Sequence, residues 1–416
     1  MNFPELWSPE IEARIRAEAK SLDPYRAPDN PQMCTRCVMT NARPRITFDE
    51  DGICNACRYA EHEVDWDVRK KQLERLLDRH RKTSGYDCIV PCSGGKDSST
   101  VAWRLKNEWG MNPLCVKWAP FIETEIGRKN LEALSHHGFD IVECIPNGLL
   151  HRRLARLAFE YLGDHFQPFV YGQLAFPMRM AADLKINLVF GAENGEAAYG
   201  GDTQADNRRA WDYDDWERVY LKGHGIHRLL VLGQELGAFT QRETMQLSRY
   251  YMLPDRESLD WIEYHWLAHY LPHHPQGNYY FASEHTGFKA NPERNVGTYS
   301  KYASIDDGTD DFHYWLAYAK FGIGRCTSDA AQEVRNGDLT SAEALKLVER
   351  YDGEFPSQVR YDLFKDYLGL SDGQFWRVVE RFRGPQVSLD CALSHTQPAL
   401  DQADQSRGRA QGGAAQ

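Results

Sequence analysis

Two short stretches of the sequence hold side chains dense enough to do chemistry. "VPCSGGKDSST", Val90 to Thr100, joins an apolar run to two glycines, a lysine and an acidic residue. Gly94 and Gly95 allow backbone N–H groups to close on an anion, and a helix starting there adds the partial positive charge of its N-terminus, so phosphate is the natural guest. The P-loop motif G-x-x-x-x-G-K-[ST] requires a leading glycine and a trailing hydroxyl residue. Val90 and Asp97 occupy those places, so this loop is of another kind. The second stretch pairs "CTRC" with "CNAC", setting Cys34, Cys37, Cys54 and Cys57 in a C-x2-C-x16-C-x2-C array. Each Cys-x-x-Cys brings two thiolates to one cation, and four soft sulfurs select Zn²⁺. An iron–sulfur cluster and unliganded thiols are the alternatives. With every position filled by protein no seat remains for water, so the zinc is expected to be structural.

The elements that must position these groups follow from periodicity. "YDCIVPC" reads as a buried strand and "KDSSTVAWRLKNEWG" as a helix with Val101, Leu105 and Trp109 on one stripe. "NPLCVKWA" is a second strand, "GRKNLEALSHHGFD" a helix, "DIVECIP" a third strand, "GLLHRRLARLAFEYLG" a strong helix and "INLVFGAE" a fourth strand. The alternation predicts an α/β class: a doubly wound parallel sheet, helices on both faces, ligands beyond the carboxyl ends of the strands. The Gly-Gly loop falls at such an end. The chain divides into an arm over 1–32, a four-cysteine zinc knuckle over 33–62, a nucleotide-binding domain over 63–200, a mixed, mainly helical region over 201–386, and a tail over 387–416 too polar to order itself.

Bulk properties narrow the partners. At 416 residues the chain holds at least one full core, and its formal charge of -11 disfavours nucleic acid, a local basic cleft excepted. No run approaches the roughly 20 apolar residues that span a bilayer. The first residues lack the basic start and apolar middle of a signal peptide, and the cysteines are not spaced as a disulfide framework, so a cytoplasmic protein is expected.

"SGGKDS", Ser93 to Ser98, between strand and helix, resembles the pyrophosphate loop of the PP-loop ATP pyrophosphatase superfamily (adenine nucleotide alpha hydrolase-like), which cleaves ATP between its α and β phosphates. Together with "CTRCVMTNARPRITFDEDGICNACR", "GAENGEAAYGG" and "GTYSKYASIDDGTDDFHYWLAYAKFGIGR", it makes residues 33–360 resemble the N-acetyl sugar amidotransferase family. The resemblance implies an enzyme of bacterial O-antigen or flagellar sugar pathways. It would convert an acetamido group of a nucleotide-activated sugar to acetamidino, using ATP and Mg²⁺ and releasing AMP and pyrophosphate. In that setting Gly94 and Gly95 admit the phosphates, Ser93 and Ser98 donate hydroxyls, Lys96 neutralises the departing pyrophosphate, and Asp97 caps the helix or holds Mg²⁺ through water. None of the scattered cysteines lies in a G-x-C-x-G turn and Met1-Asn2 provides no N-terminal cysteine. Ammonia is thus expected from a separate glutaminase, as in imidazole glycerol phosphate synthase-like subunits.

Other groups admit two readings. Glu193, Asn194 and Glu196 either face ATP and its metal or form a solvated loop. Asp306, Asp307, Asp310 and Asp311 either bind Mg²⁺ or cap the next helix. Lys289, Arg294, Lys301, Lys320 and Arg325 either meet the sugar nucleotide's phosphates or a sugar carboxylate, or pair on the surface. His265 and His269 share helical i, i+4 spacing, but Pro272 and Pro275 interrupt the element and aromatic packing is preferred to a second metal. A tRNA-thiolating enzyme of the same superfamily is the enzymatic rival; only Cys92 adjoins the loop, no second Cys-x-x-Cys exists outside the knuckle, and the chain is acidic. A non-catalytic, zinc-stapled nucleotide-binding scaffold is the rival of another class, against which intact Lys96 and Asp97 speak.

Overall fold

The computed structural model describes residues 3–17, 22, 25–201, 208–220 and 225–389. In chain order it opens with α1 (Pro9–Ala17), α2 (Asn55–Ala60) and α3 (Trp66–His80), then alternates β1 (Cys88–Pro91), α4 (Lys96–Asn107), β2 (Pro113–Trp118), α5 (Glu125–His136) and β3 (Asp140–Cys144). The helices α6 (Gly148–Leu162) and α7 (Gln167–Leu184) lead to β4 (Leu188–Gly191) and the short α8 (Gly195–Ala198). Two further strands, β5 (Ala210–Trp211) and β6 (Glu263–Trp266), complete a six-stranded sheet of order β3-β2-β1-β4-β6-β5, parallel except for β5.

Burial explains the arrangement. β2 and β4 are buried along their whole length, as strands covered on both faces must be. On one face Leu73, Leu77, Val101 and Leu105 of α3 and α4 pack with Val90 and Phe190. On the other, Leu174 and Met178 of α7 pack with Ile89, Val116 and Val189. The sheet thus extends past residue 200 into the region read as mainly helical. "EYHW" forms β6 because its backbone pairs with Leu188–Gly191, which separates His265, on the strand, from His269, in the 3₁₀ turn behind it. His265 is occupied by the Tyr270 hydroxyl at 2.7 Å and Glu263 at 3.0 Å. The rest of the C-terminal region is helical, with five helices between Asp310 and Phe382.

The N-terminal arm is built into the main core: Leu6, Trp7 and Ile15 are buried with α6 and the C-terminal helices. Its anchor is Arg156, fully buried on α6, which reaches Glu12 at 2.8 Å and Glu160 at 2.9 Å and donates to the Leu368 and Gly369 carbonyls. At the other end Val387 and Leu389 are buried, so the packed chain continues through Leu389, and the rest of the expected tail, 390–416, lies outside the described residues. Among the described residues no helix is long and apolar enough to cross a membrane.

Candidate functional site

Beyond the carboxyl ends of β1, β2, β4 and β6 lies a cavity of about 700 Å³. Its floor is the loop Cys92–Ser98, and every residue of SGGKDS lines it. β1 ends at Pro91, the chain turns through Gly94 with φ +84°, and α4 starts at Lys96. The N-cap of α4 is Gly95, and no side chain caps the helix there. The first N–H groups of a helix have no partner within it. Here the residues that carry them, Lys96, Asp97 and Ser98, line the cavity, the place an anion site requires.

The loop is charged on both sides. Lys96, 5% exposed, pairs with the Asp97 carboxylate, whose other oxygen accepts from Asn278 Nδ2 at 2.9 Å. Burial raises Asp97, but Lys96, His273 and the Asn278 amide more than reverse it, so the carboxyl sits below its ordinary value. Glu193, just past β4, is pushed the other way: burial, then the Asp97 charge, carry it up to about 7. Asn194 is turned from the cavity, its Oδ1 accepting from Glu196 N at 3.1 Å to cap α8.

The facing wall comes from residues 302–333. Arg325, buried, places Nη1 3.3 Å from Asp310 and its guanidinium 4.4 Å from the Tyr314 ring centroid. Burial lifts Asp310 to about 7 against the pull of Arg325. His313 lines the same wall, hydrogen-bonded to Asp164. Of the two acids singled out in "SIDD", Asp306 lines the cavity, whereas Asp307 is turned inward. Asp307 accepts from Phe121 N at 2.6 Å, Thr309 N at 2.7 Å and Thr309 Oγ1 at 2.8 Å, and so organises the turn into the Asp310–Phe321 helix. Lys289 and Lys301 are exposed and do not line the cavity. Arg294 is engaged by Glu354 at 2.6 and 2.7 Å, and Lys320 donates to the Leu162 carbonyl at 2.7 Å. Of the five cations weighed from sequence, Arg325 is the one brought to the site.

A third wall belongs to the four-cysteine knuckle. Its sulfurs are buried and lie within 4.8 Å of one another, Cys37 to Cys54 at 3.8 Å and Cys34 to Cys57 at 4.0 Å. A zinc ion about 2.3 Å from each thiolate sets tetrahedral edges of about 3.8 Å, so the spacing fits. Backbone N–H groups point at the sulfurs, Cys54 N to Cys34 at 3.2 Å and Met39 N to Cys37 at 3.4 Å, as thiolate ligands require. The loop between the two pairs carries Arg43 into the cavity, where Nη1 donates to the Tyr199 carbonyl at 2.8 Å. Burial draws Arg43 down to about 10. Arg335, which does not line the cavity, braces the same segment by donating to the Ala198 carbonyl at 2.6 Å. Neither arginine was singled out in the sequence; their roles depend on contacts 156 and 137 residues distant.

Such a cleft, with a Gly-Gly loop at the sheet's switch point and Arg43, Lys96 and Arg325 set among the acids of its lining, lies where open α/β sheets take ligands. Residues 296–389 match the family model described as LPS biosynthesis protein WbpG-like, C-terminal domain. That segment supplies Asp306, Asp310, His313 and Arg325. Over 86 residues the chain is 35% identical to uncharacterized protein MJ1599 of Methanocaldococcus jannaschii, covering 20% of this chain and 31% of that protein. The chain thus matches less than a third of that relative's length. The cavity wall opposite the loop is similar to a domain of lipopolysaccharide biosynthesis proteins, which points to a part in sugar or lipopolysaccharide biosynthesis.

Proposed function

We propose that the protein is the synthase component of an ATP-dependent amidotransferase that turns the acetamido group of a nucleotide-activated sugar into an acetamidino group. One observation carries this reading. The SGGKDS loop and the wall similar to a lipopolysaccharide-biosynthesis domain line one and the same cavity.

The chemistry sets the order of events. An amide oxygen is a poor leaving group toward ammonia and must first become a phosphate ester. The acetamido oxygen attacks the α-phosphorus of ATP, pyrophosphate leaves, and ammonia then displaces AMP from the O-adenylyl imidate. Little covalent work falls to the protein; orientation and charge carry the barrier. In this reading the uncapped start of α4 and Lys96 would meet the phosphates, Asp97 and Glu193 would hold Mg²⁺, and Arg43 and Arg325 would offer cations to the anionic acceptor. Mg²⁺, when bound, neutralises phosphate charge and orients the leaving group. Ammonia comes from a separate glutaminase of the imidazole glycerol phosphate synthase kind.

The test is incubation with ATP, Mg²⁺, ammonium chloride and a panel of uridine and cytidine nucleotide acetamido sugars. Pyrophosphate, AMP and a product whose mass reflects exchange of O for NH are expected. ADP as the spent nucleotide, or a thiolated tRNA formed in a parallel incubation with a sulfur donor, refutes the reading.

A further inference from the structure

The cavity holds a second reactive group that the phosphate-transfer step does not use. His313, on the helix Asp310–Phe321, places Nδ1 3.0 and 3.1 Å from the two oxygens of Asp164, a residue 149 positions earlier. Asp164 is fixed in turn by Gln167 Nε2 at 2.8 Å and Phe166 N at 3.0 Å. The imidazole stacks on Phe166, centroids 4.9 Å apart and planes 27° from parallel. Carboxylate, backbone and ring together leave one orientation. Nδ1 is the donor to Asp164, so Nε2 carries the lone pair, and no described residue hydrogen-bonds to it. The His313 side chain is 26% exposed where Asp164 is 13%, and the surface it exposes lines the cavity.

Among the described residues His313 is the one imidazole in that lining. Its surroundings separate it from its neighbour His165, which is buried and held near 3 by burial, with Nε2 on Thr309 Oγ1 at 3.0 Å. Burial alone would lower His313 too. Asp164 and then Asp310 outweigh that, against Arg325, and His313 keeps its proton to a higher pH than a free histidine. Tyr314 flanks the ring at 5.2 Å. Of the carboxylates in the lining, Asp310 is on Arg325, Asp329 accepts from Thr298 and Ser300, and Glu193 stands at the phosphate end beside Asp97 and Lys96.

We propose that His313, oriented by Asp164, is the general base of the second half-reaction, receiving the proton that the attacking ammonia must shed. The inference rests on the amidotransferase reading. In the step the ammonia lone pair forms the C–N bond at the imidate carbon while the C=N π pair moves onto the sugar nitrogen, leaving a tetrahedral carbon and positive charge on the incoming nitrogen. Nε2 takes one proton from that nitrogen. A nitrogen lone pair then re-forms the C=N bond as the C–O bond breaks with its electron pair going to AMP, and the imidazolium returns its proton to solvent. The carboxylate behind the ring stabilises the imidazolium, as in carboxylate–histidine pairs generally. Pyrophosphate departure needs no such base, since the leaving oxygens are already anionic.

The test separates the half-reactions in the full chain, using ATP, Mg²⁺ and whichever panel sugar the wild type adenylates, with and without ammonium chloride. His313→Gln and His313→Asn are expected to release pyrophosphate in a single turnover at close to the wild-type rate, while ammonia-dependent amidine formation falls by about 10²-fold or more. Asp164→Asn is expected to shift the acid limb of the ammonia-dependent rate to lower pH, because the ring loses the carboxylate that raises it; a merely structural role would lower the rate without moving that limb. Amidine formation within about threefold of wild type in the His313 variants overturns the proposal. So does equal loss of both half-reactions with nucleotide affinity intact, or unfolding of both variants. Absence of pyrophosphate from the wild type with every sugar is a different failure, of the parent reading, and is seen before any variant is made.

Discussion

Replacing Gly94 by alanine should disable the phosphate loop, while the same change at Gly95 should be tolerated. Gly94 has φ +84°, where an L side chain is strained by roughly 1–2 kcal/mol. A Cβ there would stand 2.9 Å from the Leu131 backbone N and 3.0 Å from its Cα, atoms of α5 that cannot swing aside. Overpacking of this kind costs about 1–3 kcal/mol, so loop displacement relieves about 2–5 kcal/mol in all. A chain with the usual 5–15 kcal/mol of stability remains folded while the loop moves. At Gly95 the backbone is ordinary, φ -70°, and the added Cβ meets only the Ser93 hydroxyl at 3.2 Å, which can rotate away. That change should cost under about 1 kcal/mol, the ordinary difference between Gly and Ala at an N-cap. The assay is calorimetric titration with Mg·ATP, alongside thermal unfolding. Gly94→Ala is expected to bind at least about thirtyfold more weakly, and Gly95→Ala within about fivefold. Equal effects at the two positions would refute the geometry of the loop.

Three more perturbations probe separate parts of the site. Lys96→Ala removes an oriented cation and should lower pyrophosphate release by roughly a hundredfold, about 3 kcal/mol, with thermal unfolding little changed; near-normal release counts against the loop as the site of phosphate chemistry. Cys54→Ser should abolish bound zinc measured by atomic emission, lower the melting temperature and weaken retention of anionic ligands, since the knuckle that holds Arg43 also packs on Ala330, Ala331 and Ala344; an unchanged melting temperature speaks against a structural metal. Glu193, ordinarily near 4.5, is held at about 7 in the fold. The native state binds that proton more tightly than the unfolded chain between those values, so the group's contribution to stability is present below the lower value and declines as pH rises toward the upper one. Glu193→Gln should flatten this decline in urea titrations at about pH 5 and about pH 7.5, and an unaltered slope counts against the assignment.

What could be read in advance was local. The strand–glycine–helix turn declares itself because its three parts are contiguous, and the four-cysteine cluster because each of its pairs is set by a short spacing. The strand Glu263–Trp266 resisted reading because its identity comes from pairing with Leu188–Gly191 some 75 residues away, while its own histidines and aromatics suit a helix equally well. Of two adjacent acids in "SIDD", one faces the cavity and the other takes three hydrogen bonds inside a turn, a distinction that depends on Phe121 and Thr309 rather than on anything in the four letters. Arg43 and His313 were invisible for the same reason, each needing a partner far along the chain to be placed.

The segment that matches a domain by sequence does not own its interior. Phe312, Phe364 and Phe375 share one cluster with Leu154 and Phe159 of α6 and with Trp7, and Phe159 meets Phe364 and Phe375 at 5.7 and 5.8 Å. A gene fusion or chimera that exchanges residues 296–389 between relatives would therefore transplant half of an interlocked surface. Recombination at that boundary should succeed only when α6 and the first residues of the chain travel with it, so evolutionary mobility and autonomous folding part company in this protein.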